Sequence, residues 1–459
     1  LGLRLAEYAR AKKPVDTGGN VAEEMINRQG FSESAVPSEL DAIVIGSGMG
    51  GLTTAAVMAK AGKRVLVLEQ HYIAGGNTHT FEEKGYEFDT GLHYIGAKVG
   101  VKGAFSELKL LIDYVTDKGV EFERMDEYFD IAVFGSGEQR EQYAMHQDVK
   151  ILINDLKQKF PNDTKAIDKY FKHVSRSYFQ AAFYFTSALL PRFVTRLFKP
   201  LASLFLSQFY ITTMCMLSSI TDNKKLIGVL TYLWGDYGEP PARGAFVMQC
   251  LLADHWKGGA FYPRGGPEVI ARRMIRVIER GGGKVLVRAP VSEILVNDQG
   301  SATGVCVKGE IEIYAPKIIS SVGTHTTFKK LVPGKHRHLL HEQLEGLTQE
   351  GVNSEISLSS MFVGIKQGEA GELKLPKSNV WIFPSVEHDD NVRKFKEDPE
   401  APFPAVFVSF SSAKDPTYAT RHPGKQVALV IAPTLYASVE KHRDERPLHR
   451  GDEYQALKK

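Results

Sequence analysis

The chain has 459 residues, room for about three domains of ordinary size or two larger ones. Hydrophobic residues make up 43%, charged residues 24%, and the formal net charge is +3. That balance excludes a disordered or collagen-like chain, and so small a charge argues against a general nucleic-acid binder. Cys215, Cys250 and Cys306 are widely spaced and form no C-x-x-C pair, so neither a zinc site nor a disulfide framework is indicated. Glycine stands out, with 42 copies, eleven of them in 46–100 and seven in 258–283. Crowded glycines mean backbone that approaches something closely. Those two windows are expected to carry the function.

In chain order, LGLRLAEYARAKK is a short basic amphipathic stretch without the apolar core of a signal peptide. Residues 14–40 read as a polar lead-in around one short helix. AIVI and RVLVLE then flank LTTAAVMAKA, a helix that ends at Gly62. This is a β-α-β unit with two parallel buried strands. Residues 101–157 mix short helices and strands, and 160–235 read as helical and rich in aromatic residues. PEVIARRMIRVIER (267–280) is an amphipathic helix. KVLVRAP, VSEILVND, ATGVCVKG and KIISSV follow as strands. Residues 326–459 alternate helices with strands such as SLSSMFVGI, AVFVSF and QVALVIAP. No internal repeat and no clear membrane-spanning run is seen.

Gly46-x-Gly48-x-x-Gly51 sits between the first strand and its helix, the context that gives this spacing its meaning. Gly46 permits the tight turn, Gly48 lets the backbone approach a pyrophosphate, and Gly51 lets helix and strand pack closely. The helix N-terminus offers free N–H groups to the phosphates. Ser47, Met49 and Gly50 complete the turn. Glu69, with Gln70 beside it, ends the second strand and suits ribose hydroxyls. A carboxylate there disfavours a 2′-phosphate, so FAD or NAD fits better than NADP. A second nucleotide fingerprint is not found, which leaves NAD or NADP as an electron source without a motif of its own.

After Glu69 the chain runs HYIAGGNTHTFEEKGYEFDTGLHYIG. The second glycine pair, Gly75-Gly76, and the FDTG string resemble the flavin-binding amine-oxidase and phytoene-desaturase superfamily. VLVLEQHYIAGGNTHTF, YEFDTGLHYIGA, GGAFYPRGG and SAKDPTYATRHPGK narrow the resemblance to the retinol saturases, the all-trans-retinol 13,14-reductases. It covers roughly residues 38–455. Carotenoid isomerases resemble the chain in architecture but fit these strings less well. The resemblance implies an α/β fold: a discontinuous Rossmann-like FAD-binding domain with an α+β substrate domain. It implies a lead-in over 1–37, FAD-binding segments at 38–100 and 256–325, and substrate segments at 101–255 and 326–459. It adds Gly75, Gly76, Asn77 and Thr78 beside the flavin, and the backbone of Val291 at the adenine ring. It implies saturation of the 13,14 double bond of all-trans-retinol, with His93 or Tyr94 as proton donor. A carotenoid isomerase or desaturase is the alternative reaction, and a non-catalytic lipid-binding protein the alternative of another class. Asn77-Thr78 stand where vertebrate retinol saturases carry two cysteines. The family's Gly-rich closing segment over the flavin and its hydrophobic N-terminal anchor are not seen, so an incomplete chain with weakened FAD binding is expected.

The family places its members at the endoplasmic reticulum membrane. From Lys169 to Thr221 no acidic residue occurs, while Lys169, Lys172, Arg176, Arg192, Arg196 and Lys199 punctuate a run rich in Phe, Leu and Tyr. That pattern suits a peripheral surface dipping into anionic lipid, or the mouth of an apolar tunnel for an isoprenoid or retinoid. Pro200 and Gln208 interrupt 200–221, so a spanning helix is not expected. His336, His338 and His341 lie on a polar, basic helix and are read as solvated rather than as a metal site. Asn162-Asp163-Thr164 is a glycosylation acceptor sequence, relevant only to a lumenal chain. The sequence leaves the oligomeric state open.

Overall fold

A computed structural model of the chain describes residues 23–101, 106–187, 209–347, 356–366, 373–398, 400–442, 445 and 451–457. The basic stretch at 1–13 and Arg192, Arg196, Lys199, Pro200 and Gln208 lie outside the described residues. The elements that position the site run in this order: β1 (Ala42–Ile45), α1 (Met49–Lys60), β2 (Val65–Leu68), β3 (Tyr128–Phe134), β4 (Glu141–His146), α2 (Thr164–Ser187), α3 (Trp234–Tyr237), α4 (Phe246–His255), α5 (Glu268–Arg280), β5 (Lys284–Leu286), β6 (Ile318–Ser320), β7 (Ile356–Lys366), β8 (Asn379–Phe383), β9 (Val406–Ser409) and β10 (Lys425–Leu435).

Two sheets organise the molecule. The first is four-stranded and parallel, in the order β6-β1-β2-β5. AIVI and VLVL are buried along their whole length, as strands covered on both faces require. α1 and α5 pack together on one face of this sheet, where Ala55, Ala56, Ile275 and Ile278 join the side chains of Val44 and Val67 in one core. The other face carries Ile43, Ile45, Leu66 and Leu68. It is covered by a three-stranded antiparallel sheet over 291–314. The strand that follows the second glycine window thus joins the sheet of the first, since β5 pairs with β2.

The second sheet has six strands in the order β7-β10-β9-β8-β3-β4. All neighbours are antiparallel except β8 and β3, which pair parallel with Asn379 opposite Asp130 and Phe383 opposite Phe134. That parallel seam joins a strand from the first third of the chain to one far downstream. A core of aromatic residues, including Phe134, Trp234, Phe246, Trp256, Trp381, Phe383 and Phe407, binds the sheet to the helices between 164 and 255. Rings of this size dominate core energetics, and here they assemble from five separate segments. Among the described residues no helix is long and apolar enough to cross a membrane.

Gly281, Gly282 and Gly283 of the second glycine window approach the first βαβ unit. A Cβ on Gly281 would sit 2.8 Å from Cβ of Ala59, and one on Gly283 would sit 2.5 Å from the carbonyl of Val65. These glycines let α5 and β5 pack directly on α1 and β2. The end of the second window thus braces the first from behind. Val291 begins a strand just beyond Ala289, whose N–H donates to the Glu69 carbonyl at 2.8 Å.

Candidate functional site

The turn between β1 and α1 is built as the glycine spacing requires. Gly46 has φ +93, a conformation other residues adopt at a cost, and a Cβ on Gly51 would meet the Gly46 carbonyl at 2.1 Å. Gly48 caps α1 with no side-chain hydrogen bond, and space is open where its Cβ would stand. Met49, Gly50 and Gly51 form the first turn, so its N–H groups and the positive dipole end face an open approach. A diphosphate fits that cradle.

Ser47 does not point into it. Its N–H and Oγ both donate to Oε2 of Glu69, at 2.9 and 2.6 Å, while Oε1 accepts from the N–H of His71 at 2.9 Å. Glu69 thus latches the turn and the loop after β2 together. Gln70 beside it is exposed. The loop folds back so that Gly75 donates its N–H to Oγ of Ser47 at 3.2 Å. A Cβ on Gly76 would meet Cα of Gly48 at 2.8 Å. The two glycine strings read from the sequence are in van der Waals contact. Thr78 is buried and donates to the Gly75 carbonyl at 2.8 Å, which closes the loop on itself. Ala271 of α5 supports it from below, close to Gly75.

Asn77 leads from this loop into a cavity of about 800 Å³ that is mostly apolar. Thr90, Gly91, His93 and Tyr94 continue the wall. Trp234, Trp256, Trp381, Phe407, Leu251 and Ile431 supply the aromatic and aliphatic lining. The expected proton donors therefore both line the cavity. His93 lies with Nδ1 3.9 Å from Oδ2 of Asp89, a carboxylate that also accepts from the Tyr262 hydroxyl at 2.7 Å. Tyr94 stacks on Trp256, with ring centroids 4.2 Å apart, and donates its hydroxyl to Oδ2 of Asp130 at 3.2 Å. Burial, with the Asp130 carboxyl nearby, pushes the Tyr94 pKa well above 10. Tyr94 is thus a hydrogen-bond donor tied to Asp130 and a poor proton source at neutral pH.

Behind this wall lies a polar network that the sequence reading missed. Asp130 is fully buried on the seam and accepts from Tyr94, from the Tyr232 hydroxyl at 3.1 Å and from Nδ2 of Asn379 at 3.0 Å. Lys414, also buried, donates to the Asn379 amide oxygen at 2.5 Å, to Oγ of Ser409 at 2.6 Å and to the His93 carbonyl at 3.0 Å. Burial drives the two ionisable groups toward neutrality: Asp130 rises to about 6 and Lys414 falls to about 7. Two signals were available. An aspartate interrupts the otherwise apolar strand YFDIAVF, and a lysine lies within SSAKDP, a string used only for its resemblance.

His338 bonds the Lys335 carbonyl through Nδ1, and His341 lies 3.4 Å from Glu345, so each ring is engaged locally. Asn162 is exposed.

Fold and site together define a nucleotide-binding oxidoreductase with a Rossmann-like domain. The NAD(P)-binding Rossmann-like domain family matches residues 44–108. The all-trans-retinol 13,14-reductase of Macaca fascicularis is 38% identical over 452 residues, covering 95% of this chain and 72% of that protein. A protein of Danio rerio described as an inactive all-trans-retinol 13,14-reductase is 33% identical, covering 95% and 72%. A chloroplastic prolycopene isomerase of Arabidopsis thaliana is 27% identical, covering 85% and 63%. Among solved structures, an oxidoreductase from Methanosarcina mazei superposes with a TM-score of 0.56 at 17% identity, over 88% of this chain and 81% of that one. The chain belongs to the all-trans-retinol 13,14-reductase family.

The raised pKa of Asp130 has a defined consequence for stability. Between 3.8 and about 6 the folded chain keeps a proton that the unfolded chain releases. The contribution favours the fold below that window and is lost as pH rises through it, on the order of 2–3 kcal/mol. Asp130→Asn removes this titration. Urea unfolding from about pH 4 to about pH 6.5 is expected to show the variant gaining on the wild type by that amount. A difference that stays constant across the range contradicts the assignment.

Proposed function

We propose that the chain is an FAD-dependent reductase that saturates the 13,14 double bond of all-trans-retinol to give all-trans-13,14-dihydroretinol. The observation that carries this reading is the continuity of one loop. Gly76 touches the phosphate-binding turn at Gly48, and the next residue, Asn77, enters the apolar cavity. A polyene alcohol there lies beside whatever the turn holds. Reduced flavin, when bound, would supply a hydride to one carbon of the bond, and His93 on the cavity wall the proton to the other. The chain supplies the rest: Gly48 and the α1 N-terminus hold a diphosphate, Gly75 to Thr78 border the ring, and the aromatic walls exclude water and align the polyene. The names of its relatives favour a retinoid over a poly-cis carotene, since identity falls from 38% for a retinol reductase to 27% for a prolycopene isomerase. The electron source is proposed to be a nicotinamide cofactor that visits without a fingerprint of its own.

Flavin-loaded, chemically reduced protein incubated with all-trans-retinol is expected to yield a product two hydrogens heavier. Isomerised carotene formed from a poly-cis substrate, with retinol unchanged, contradicts the reading, and so does a purified chain that takes up no flavin. Gly76→Val places a side chain against Gly48 at a backbone φ of +55 and is expected to abolish flavin absorbance while the protein stays folded.

We also propose that the end of α2 rests on the endoplasmic reticulum membrane. Phe179 is 67% exposed and Phe185 61% exposed, with Phe183 and Tyr184 exposed between them and Lys172 and Arg176 upstream on the same helix. Aromatic and basic residues in this order suit an anionic interface. The protein is expected to float with phosphatidylserine-containing vesicles, and Phe179→Ser/Phe185→Ser to float less. Equal flotation contradicts the assignment.

A further inference from the structure

Asp236 presents the one carboxyl among the described residues that line the 800 Å³ cavity. The short helix α3 holds it rigidly. Trp234 donates Nε1–H to Nδ1 of His388 at 3.0 Å, and Gly235 lies so close to Trp381 that a Cβ would be 2.8 Å from the ring. Gly238, with φ +81, turns the chain away immediately after the helix.

Several other polar groups on this wall are already engaged. The Tyr94 hydroxyl bonds Asp130, Nε2 of His255 accepts the Gly96 N–H at 2.8 Å, and Thr90 donates to the His79 carbonyl at 2.7 Å. Among the described residues no hydrogen bond or ion pair engages the Asp236 carboxyl. Asp236 is exposed and lines the cavity, so its carboxyl faces the place where a ligand would lie.

We propose that Asp236 is the hydrogen-bonding anchor for the free hydroxyl of an isoprenoid alcohol in this cavity, and that it selects alcohols over esters and hydrocarbons. This rests on the retinoid reading of the site. A protonated carboxyl both donates to an alcohol oxygen and accepts from its O–H, so both groups are satisfied in an apolar setting. An ester can only accept. A hydrocarbon leaves the acid buried and unpaired, which costs far more than a missing contact.

Desolvation by the protein around the cavity, then the neighbouring Asp130, pushes the Asp236 pKa up to about 8 and favours the protonated form. Asp130 on β3, Tyr94, Tyr232 and Tyr237 are the acidic groups coupled to it, and His93 and His255 face the same space. His255 is held neutral by burial, its pKa lowered to about 4.

The three tryptophans of the chain, Trp234, Trp256 and Trp381, all line the cavity, so quenching of their emission reports occupancy without turnover. Titrations of the flavin-loaded protein with all-trans-retinol and with retinyl acetate test the anchor directly. The wild type is expected to bind the alcohol more tightly. Asp236→Leu is expected to weaken retinol binding by about tenfold and leave retinyl acetate within about twofold. Asp236→Asn keeps most of the retinol affinity and removes the weakening expected above about pH 8. Equal loss of both ligands in Asp236→Leu, or unchanged retinol binding, overturns the anchor. A wild type that binds both ligands equally also overturns the anchor while the retinoid reading stands. A wild type that binds neither overturns the retinoid reading, and the anchor with it.

Discussion

A buried carboxylate on a parallel seam is the constraint on which the architecture around the cavity depends. Asp130 gathers Tyr94, Tyr232 and Asn379, and Asn379 passes the connection to Lys414, which in turn holds the His93 carbonyl. Five separate segments therefore meet at one place. Leaving any member unpaired in so enclosed a position costs more than its bond contributes, so the network fixes geometry more than it adds stability. Its result is a wall, His93 and Tyr94, whose position relative to the sheet is set on both sides.

The nucleotide half of the site depends on a different device, the absence of side chains. Gly48 and Gly76 let two loops touch, and Gly51 lets α1 start directly over the Gly46 carbonyl. Behind them Gly281 and Gly283 let α5 and β5 close on α1 and β2. Glycine is costly in the unfolded chain, and here that cost is offset by packing that no residue with a Cβ permits. The segment from Gly75 to Tyr94, which includes the hairpin of Thr80–Glu83 and Tyr86–Asp89, belongs to both halves. It begins against the glycine turn and ends in the Asp130 network, so turn and cavity share a single stretch of backbone.

How much of this was legible depended on sequence distance. Ala42 to Glu69 carries its own evidence: short apolar strands, a spaced glycine turn, a helix closed by Gly62 and an acidic residue at the expected place. Its fold follows from local pattern. Asp130 and Asn379 are 249 residues apart and pair only because β3 and β8 run parallel in one sheet, which no local periodicity announces. Lys414 reads as a surface cation in SSAKDP until that sheet places it inside. The second glycine window was legible as close packing, but not what it packs against, because Gly281 meets Ala59 across more than 200 residues. Asp236 in WGDYG looks like a turn acid. Only the cavity gives it a direction.

The central claim is that the cradle at Gly48 and the cavity beyond Asn77 form one site. Oxidised, flavin-loaded protein titrated with all-trans-retinol under non-turnover conditions tests this most directly. The account predicts a saturable perturbation of the flavin visible absorption band, with the same midpoint as the quenching of tryptophan emission. Tryptophan quenching with no change at the flavin would place the retinoid away from the cofactor and contradict it.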